Sequence, residues 1–412
     1  MGKTFKAVPI ARDVFWVGAI DRHIRNFHGY ATHRGTTYNA YLVLADKPVL
    51  IGTVKEPFQD ELLGRISSVI DPGDITYVIS NHSEMDHSGC LPKIMDIIRP
   101  EKTFASIMGR KALEAHFRLG ARVTPVKEGD RVDLGNREIQ FIEARMLHWP
   151  DSMHSYLAGE RILFSNDGFG MHLATDERFA DELPFETLEY EAKKYFANIL
   201  LPYSGIVLKH LEKVKQSGMK ISMIAPDHGP VWRSEKDVLK IFDLWENWAR
   251  QKPARKAVVV YDSMWRSTEL MAHAIGEGLR EGGVEAILMS LSSCHRSDVA
   301  TEALDAGALI VGSPTLNNSI FPALSDALTY LKGLRPKNMI GAAFGSYGWS
   351  GEAVSRLEEM LTEMKIELFG ENMRILYVPD GDGLKRSREF GKNIAKRLIE
   401  FCETSDAHGG SV

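Results

Sequence analysis

The sequence ITYVISNHSEMDH occupies residues 75–87 and joins an apolar run to four metal-capable side chains within six positions. Residues 75–80 have the apolar, β-branched character of a buried strand, so the loop that follows begins at a strand end. In an extended segment His82, Glu84 and Asp86 project to one side, and a turn at His87 can bring a fourth donor round. Because clustered carboxylates repel and buried imidazoles need partners, the loop predicts a metal site that could serve two adjacent ions.

Metal-capable side chains also follow three later apolar runs of the first half. His148 lies in the loop 147–152, Asp167 follows the run 162–164, and His228 follows the run 221–224. Taken singly, each histidine is more often an ordinary hydrogen-bonded residue. Loops at one end of a sheet converge in space, so we expect these residues to meet the first loop. The predicted metal ligands are His82, Glu84, Asp86, His87, His148, Asp167 and His228.

Length, charge and cysteine content exclude several classes of protein. A chain of 412 residues with 44% hydrophobic residues is expected to form two globular domains. The net charge of -5, with mixed signs, provides no basic stripe for nucleic acid and no polybasic anchor for a membrane. No apolar run reaches a membrane-spanning or signal-peptide pattern, which favours a cytoplasmic protein. Three scattered cysteines exclude a disulfide framework and a Cys-x-x-Cys site, so any iron must be held by nitrogen and oxygen.

Hydrophobic periodicity divides the chain near residue 252. Residues 1–252 are predicted to form sheets packed together and covered outside by helices. Predicted strands include 14–20, 40–44, 48–51, 75–80, 103–105 and 162–164, with a hairpin over 131–143. Predicted helices include 57–70, 91–98, 110–119, 189–214 and 236–248. The polar, proline-containing segment 250–255 predicts the domain boundary.

The second half alternates strands and helices in the manner of a doubly wound parallel sheet of flavodoxin size. The predicted domain is 253–402, with strands at 257–261, 285–291, 308–312, 339–344 and 374–378. Predicted helices occupy 269–281, 299–305, 322–331, 353–363 and 387–401. The polar, glycine-rich tail 403–412 is expected to be disordered.

Loops that follow three of these strands form a second candidate site. Hydroxyl groups at the start of the first helix suit a phosphate monoester, and the chain lacks a Walker lysine or a Gly-x-Gly-x-x-Gly motif here. Trp265, Tyr347 and Trp349 offer flat surfaces for an isoalloxazine ring. Ordinary turn chemistry with a helix N-cap is the alternative. The predicted cofactor-binding residues are Ser263, Met264, Trp265, Ser267, Thr268, Pro314, Thr315, Leu316, Asn317, Asn318, Ser346, Tyr347, Gly348, Trp349, Ser350 and Gly351.

With both sites in view, the chain resembles a known family over essentially its full length. The first half resembles the metallo-β-lactamase fold, an αββα sandwich, with Glu84 in place of the second histidine of the usual His-x-His-x-Asp-His motif. Followed by a flavodoxin-like domain, it resembles a flavodiiron protein, also called an A-type flavoprotein. The stretches 27–29, 34–41, 147–152 and 170–172 are similar to the family as well.

The resemblance implies a ligand set and its neighbours. His82, Glu84 and His148 would hold one iron, Asp86, His87 and His228 would hold the other, and Asp167 would bridge them. In some members the position of His87 is turned away from the metal. The resemblance also places His28 and His172 close to the irons. Gly52 departs from the family, in which aspartate is usual at this position.

The resemblance further implies two non-haem irons, FMN, and reduction of dioxygen to water, of nitric oxide to nitrous oxide, or of both. It implies a head-to-tail homodimer or a dimer of dimers, in which the flavin of one subunit serves the irons of another. Since the chain lacks rubredoxin-like cysteine pairs, the electron donor would be a separate rubredoxin or a reduced deazaflavin. Two alternatives are a zinc hydrolase of the metallo-β-lactamase type with a fused flavodoxin, and an electron carrier with a metal-free structural domain.

Overall fold

Two β-sheets pack face to face in the first part of the chain. This computed structural model describes residues 5–408. Its strands up to residue 250 are β1 (Val8–Ala11), β2 (Val14–Trp16), β3 (Ala19–Asp21), β4 (Asn26–Phe27), β5 (Tyr30–Ala31), β6 (Thr36–Tyr38), β7 (Tyr41–Val43), β8 (Val49–Ile51), β9 (Tyr77–Ser80), β10 (Lys102–Ser106), β11 (Val123–Val126), β12 (Arg131–Asp133), β13 (Glu138–Glu143), β14 (Met153–Leu157), β15 (Ile162–Phe164) and β16 (Met223–Ala225). The helices are α1 (Gln59–Ser67), α2 (Met85–Ser88), α3 (Leu91–Ile98), α4 (Ile107–Phe117), α5 (Phe185–Tyr195), α6 (Ser204–Gln216) and α7 (Glu235–Arg250).

Twelve of these strands form a seven-stranded sheet in the order β1-β2-β7-β8-β9-β10-β11 and a five-stranded sheet in the order β12-β13-β14-β15-β16, and β3 pairs separately with β6. Alternation along β7 shows how the first sheet is buried on both faces. Tyr41 belongs to the core shared with Phe141 and Phe164 of the second sheet. Leu42 instead belongs to a core with helix residues such as Leu62 of α1. Successive strand residues point to opposite faces, so one strand serves both cores.

The second part contains a five-stranded parallel sheet in the order β18-β17-β19-β20-β21. Its strands are β17 (Ala254–Tyr261), β18 (Glu285–Ser290), β19 (Ala306–Gly312), β20 (Ile340–Tyr347) and β21 (Glu367–Leu376). Its helices are α8 (Ser267–Glu281), α9 (Arg296–Ala303), α10 (Pro322–Leu334), α11 (Glu352–Glu363) and α12 (Gly381–His408). Helices α8 and α12 pack on one face through Ile275 and Leu398, among others. Val258 and Val311 are buried outside that cluster, as expected for a sheet covered on both faces.

The described chain divides into two compact units. The first contains the residues up to His28, Thr32–Tyr195 and Gly205–Glu246. The second contains Gly29–Ala31, Phe196–Ser204 and the residues from Asn247 onward. Among the described residues, no helix is both long enough and apolar enough to cross a membrane.

Two predicted elements are interrupted in the structure. The helix predicted over 189–214 is interrupted between α5 and α6 by a π-helical segment, Phe196–Leu200, and a 3-10 turn, Leu201–Tyr203. Pro202 lies in that turn, and proline cannot donate the backbone hydrogen bond that a continuous α-helix requires. The strand predicted over 14–20 is split at Gly18, where a Cβ atom would lie 2.2 Å from the carbonyl oxygen of Tyr38.

The predicted disorder from residue 403 is wrong for residues 403–408, because α12 continues through them. Cys402 is buried in the core of the second unit, and partly buried Phe401 packs against that core. This packing anchors the helix at the point where the sequence becomes polar. Residues 409–412 of the predicted tail lie outside the described residues.

Candidate functional site

Asp167 lies between two groups of nitrogen and oxygen donors at the carboxyl ends of the sheet strands. Its Oδ2 atom is 3.0 Å from Nε2 of His148 and 3.4 Å from Nε2 of His82. Its Oδ1 atom is 3.1 Å from Nε2 of His87 and 3.5 Å from Nε2 of His228. Each carboxylate oxygen therefore faces a different pair of imidazoles, which is the geometry of a bridging ligand.

One further carboxylate completes each group. Oε2 of Glu84 is 3.2 Å from Nε2 of His82 and 3.3 Å from Nε2 of His148. Oδ2 of Asp86 is 3.4 Å from Nε2 of His87 and 3.2 Å from Nε2 of His228. All seven residues predicted from the sequence are thus brought together in two groups, and within each group the donor atoms lie within 4.8 Å of one another.

The donor spacing and the unsatisfied oxygens fit a pair of metal ions. Two donors on one ion with bonds of about 2.1 Å are roughly 3.0–3.4 Å apart at octahedral or tetrahedral angles, close to the separations observed here. Among the described residues, neither oxygen of Asp86 nor Oδ1 of Asp167 has a hydrogen-bond partner, although both residues are buried. Buried carboxylates without partners are costly unless a cation neutralises them. The residues therefore fit two divalent ions.

A cleft of about 630 Å³ opens where four strands of the second unit end. Of the sixteen predicted cofactor residues, thirteen line it: Met264, Trp265, Ser267, Pro314, Thr315, Leu316, Asn317, Asn318, Ser346, Tyr347, Gly348, Trp349 and Ser350. Ser263, Thr268 and Gly351 are not among the lining residues. Ser263 lines a small adjacent cavity, and buried Thr268 places its hydroxyl 2.9 Å from that of Ser346.

Tyr377 and Val378 also line the cleft, and neither was among the predicted residues. They follow directly after β21, whose end was predicted at residue 378 rather than 376. Ligands bind at the carboxyl edge of such a sheet, so the end of this fourth strand is the sequence signal that indicates both residues.

Large exposed aromatic surfaces make this cleft suited to a flat ring system. Trp265 is 87% exposed and Trp349 is 89% exposed, although apolar side chains of this size are normally covered. The first turn of α8, with the hydroxyl of Ser267, presents the backbone N–H groups that bind phosphate at helix N-termini. The Ser263 hydroxyl is buried and has no hydrogen-bond partner among the described residues. These features fit a flavin carrying one phosphate.

Comparisons with known proteins find matches for both the part of the chain with the metal-capable residues and the part with the cleft. Residues 36–229 match the ODP family beta lactamase and residues 259–391 match flavodoxin. The chain is 46% identical to the nitric oxide reductase of Moorella thermoacetica over 397 residues, covering 95% of this chain and 99% of the relative. It superposes on the rubredoxin oxygen:oxidoreductase of Desulfovibrio gigas with a TM-score of 0.94 at 44% identity, covering 96% and 99% of the two chains. The flavodiiron protein of Giardia intestinalis gives a TM-score of 0.92 at 33% identity, covering 98% and 100%.

The chain belongs to the flavodiiron proteins. The fold predicted from the sequence, a metallo-β-lactamase-like domain followed by a flavodoxin-like domain, is confirmed. Membership implies an iron pair and FMN as cofactors, and the two sites described above fit them.

In this flavodiiron protein, hydrogen bonds to Nδ1 of two ligand imidazoles orient the Nε2 atoms of the same rings toward the metal site. Nδ1 of His82 is 3.1 Å from Oδ2 of Asp151, and Nδ1 of His228 is 2.6 Å from the carbonyl oxygen of Thr37. A backbone carbonyl only accepts, so Nδ1 of His228 carries the proton and Nε2 is left as the metal-binding atom. Partners of this kind fix the tautomer and the ring orientation of a ligand.

Buried carboxylates control the protonation of the metal-free site. Burial opposes the charged form of His87, but Asp86 and Asp167 raise its pKa to about 10. Burial likewise opposes charge on His82 and His148, and hydrogen bonds to neighbouring carboxylates raise the pKa of both. Burial raises the pKa of Asp227 to about 6, partly offset by His87. In the metal-free site the protonated imidazoles balance the negative charge of the carboxylates. Metal binding must therefore displace these protons.

Both neighbouring histidines of the sequence hypothesis lie next to ligands. Nε2 of His28 is 3.2 Å from Oε1 of Glu84. The His172 ring is 4.7 Å from the His228 ring, and its Nδ1 lies 2.9 Å from the Thr36 hydroxyl. These contacts restrict the side chains of Glu84 and His228.

Gly52 adopts a φ of +74°, and its N–H donates to the carbonyl of Ile79. A Cβ there would meet the Asn39 carbonyl oxygen only at 3.4 Å, so space permits a side chain and the cost would be the left-handed conformation. The next residue, Thr53, donates from both its N–H and its hydroxyl to the carbonyl of His87. The backbone and hydroxyl of Thr53 therefore support the predicted ligand His87.

Proposed function

We propose that this protein is an oxidoreductase that reduces dioxygen to water, nitric oxide to nitrous oxide, or both, at a non-haem diiron site supplied by FMN. The observation that carries the proposal is the placement of Asp167, with one carboxylate oxygen facing each donor group. Two adjacent ions can hold both ends of a diatomic molecule or two molecules side by side, which a single ion cannot do. Relatives named for oxygen and nitric oxide reduction support the same reaction class.

Donor chemistry favours iron over zinc in this site. Glu84 supplies a hard, anionic oxygen where metallo-β-lactamase motifs carry an imidazole, and such oxygens favour iron or manganese. Glu84, Asp86 and Asp167 together offset most of the charge on two divalent ions. When bound and reduced, the iron pair and FMN would together supply the four electrons that reduction of dioxygen to water requires.

The side chains have distinct proposed roles. His82, Glu84 and His148 hold one iron, Asp86, His87 and His228 hold the other, and Asp167 bridges them. Asp151 and the Thr37 carbonyl orient His82 and His228 respectively. In the flavodoxin-like domain, the aromatic residues of the cleft hold the isoalloxazine ring, and the hydroxyls of residues 263–268 hold the phosphate. We place the domain boundary between residues 252 and 253.

The proposed assembly is a head-to-tail homodimer, or a dimer of such dimers, in which the flavin of one subunit reduces the irons of another. A separate cytoplasmic donor, a rubredoxin or a reduced deazaflavin, would reduce the flavin. Dilution to monomers should abolish turnover while both cofactors remain bound. Full activity of a monomer, established by sedimentation at the assay concentration, would contradict the assembly.

The decisive experiment reduces the purified holoprotein anaerobically and exposes separate samples to dioxygen and to nitric oxide. Water without free hydrogen peroxide is the expected product of the first reaction, and nitrous oxide is that of the second. Iron, zinc and FMN are quantified in the same preparation. A protein that contains zinc and shows no redox turnover would instead support the hydrolase alternative.

A further inference from the structure

Tyr38 is a buried aromatic residue that adjoins a proposed iron ligand both through its ring and through the backbone. Its ring centroid lies 6.0 Å from that of His228. The residue before it, Thr37, accepts a hydrogen bond from Nδ1 of His228 at 2.6 Å. An electron could therefore pass between the tyrosine and the metal site over a short distance.

The Tyr38 hydroxyl has a carboxylate as its hydrogen-bond acceptor. It donates to Oδ2 of Asp21 at 3.2 Å, between the paired strands β3 and β6. The other oxygen of Asp21 accepts the backbone N–H groups of His23 and Ile24, both at 3.0 Å, which fixes the carboxylate. Asp21 is 8% exposed, so its environment is mostly protein.

Removing an electron from a buried phenol requires a nearby base. Oxidation makes the phenol hydroxyl strongly acidic, and a positive charge left on the buried ring would be costly. The carboxylate of Asp21 can accept that proton along the existing hydrogen bond. Tyr41, at the start of the next strand β7, provides a contrast: it is fully buried, but its hydroxyl donates to the carbonyl of Pro226, which cannot take up a proton.

We propose that Tyr38 and Asp21 form a redox-active pair that supplies one electron to the metal site when the flavin cannot. In the step, the Tyr38 O–H bond breaks, its proton moves to the Asp21 carboxylate, and one electron passes to the metal site. The products are a neutral tyrosyl radical, a carboxylic acid and a site reduced by one electron. The oxidant is the oxidising equivalent that dioxygen leaves at the metal site, so the inference rests on the proposed reduction of dioxygen. The pair thereby protects the histidine ligands from oxidation.

The test limits the supply of electrons to the iron- and FMN-loaded holoprotein. The protein is reduced with two electrons per chain, mixed with excess dioxygen, frozen after milliseconds to seconds, and measured by electron paramagnetic resonance. Expression with ring-deuterated tyrosine distinguishes a tyrosyl radical from a flavin semiquinone, because the label changes only the tyrosyl line shape. The matched variants are Tyr38→Phe, Asp21→Asn and Tyr41→Phe, each checked for iron and FMN content.

A label-sensitive radical is expected in the wild-type protein and in Tyr41→Phe. It should be lost in Tyr38→Phe and reduced several-fold in Asp21→Asn, which keeps the tyrosine but removes the base. A radical that persists in Tyr38→Phe, or an unchanged yield in Asp21→Asn, overturns the inference. Dioxygen consumption without any label-sensitive radical overturns it while leaving the proposed function intact. Absence of dioxygen consumption overturns both.

Discussion

The Asp151 carboxylate lies 3.1 Å from Nδ1 of His82, while Nε2 of the same ring faces Glu84 and Asp167. Asp151 also accepts the N–H and the hydroxyl of Ser83, at 2.7 Å and 2.6 Å. Burial raises the pKa of the Asp151 carboxyl, but the hydrogen bonds from His82 and Ser83 outweigh that effect and hold the pKa below its usual value, so the carboxylate stays ionised.

Replacement of Asp151 by asparagine should weaken iron binding roughly 10- to 100-fold, the usual effect of losing a carboxylate behind a ligating imidazole. The amide keeps the shape but loses the charge that stabilises the His82 tautomer. Competition with a calibrated chelator measures the affinity. Ser83→Ala removes one donor to the same carboxylate and should have a smaller effect. Equal losses in the two variants would show that packing, rather than the carboxylate charge, is responsible.

Replacement of Glu84 by histidine should shift metal selectivity from iron toward zinc. The change removes a hard anionic oxygen and restores the imidazole of the hydrolase motif. Metal content after refolding with equimolar ferrous iron and zinc under argon measures the ratio. Glu84→Gln, which loses the charge without adding an imidazole, serves as the control. An unchanged iron-to-zinc ratio in Glu84→His would contradict the role given to this residue.

Loading the metal-free protein with ferrous iron at pH 7 should release protons. The carboxylates raise the pKa of His87 to about 10 and also raise that of His82, so these rings are protonated at neutral pH. A metal binds only the neutral imidazole, so apparent affinity should increase as the pH rises from neutral toward 10. Anaerobic calorimetry in two buffers of different ionisation enthalpy counts the protons. His87→Ala should release fewer, and no release from the wild-type protein would contradict the prediction.

Replacement of Trp349 by alanine should weaken FMN binding roughly 2- to 10-fold, which corresponds to about 0.5–1.5 kcal/mol of aromatic stacking. Trp349 lines the cleft and is almost fully exposed without a ligand. Fluorescence titration of the flavin-free protein measures the dissociation constant. Trp349→Phe should retain most of the affinity. Leu239→Ala, which removes an exposed apolar side chain of α7, should have no effect.

The buried pair His154 and His210 should make the protein sensitive to acid. Their Nε2 atoms are 3.0 Å apart, and burial lowers the pKa of His210 from 6.5 to about 4. Between pH 6.5 and pH 4, His210 binds a proton in the unfolded chain but not in the folded chain. The free energy of unfolding therefore falls as the pH drops from 6.5 to 4. The loss attributable to His210 is about 3 kcal/mol. Denaturant unfolding at several pH values should show a weaker dependence for His210→Gln, and an identical dependence would refute the assignment.

Local sequence determined the identity of the donors and the order of the elements. The strand before His82 and the helix Leu91–Ile98 followed from apolar spacing, which short-range backbone geometry imposes whatever surrounds it. The helix break at Pro202 is also a local property of the sequence, because proline interrupts an α-helix. The apolar periodicity on both sides of it nevertheless favoured one continuous helix. By contrast, the helical course of residues 403–408 depended on core packing that a polar segment does not reveal.

Residue spacing did not decide how the donors are shared. It placed Asp167 only at a strand end, and the bridging position came from the family resemblance. The tertiary structure shows which oxygen of Asp167 faces each group of histidines. The same is true of Asp151 and Asp21, whose roles depend on partners brought from distant strands. Spacing along a chain fixes which side of a strand a residue occupies. Distances between loops depend on how two sheets pack, and that is a property of the whole core.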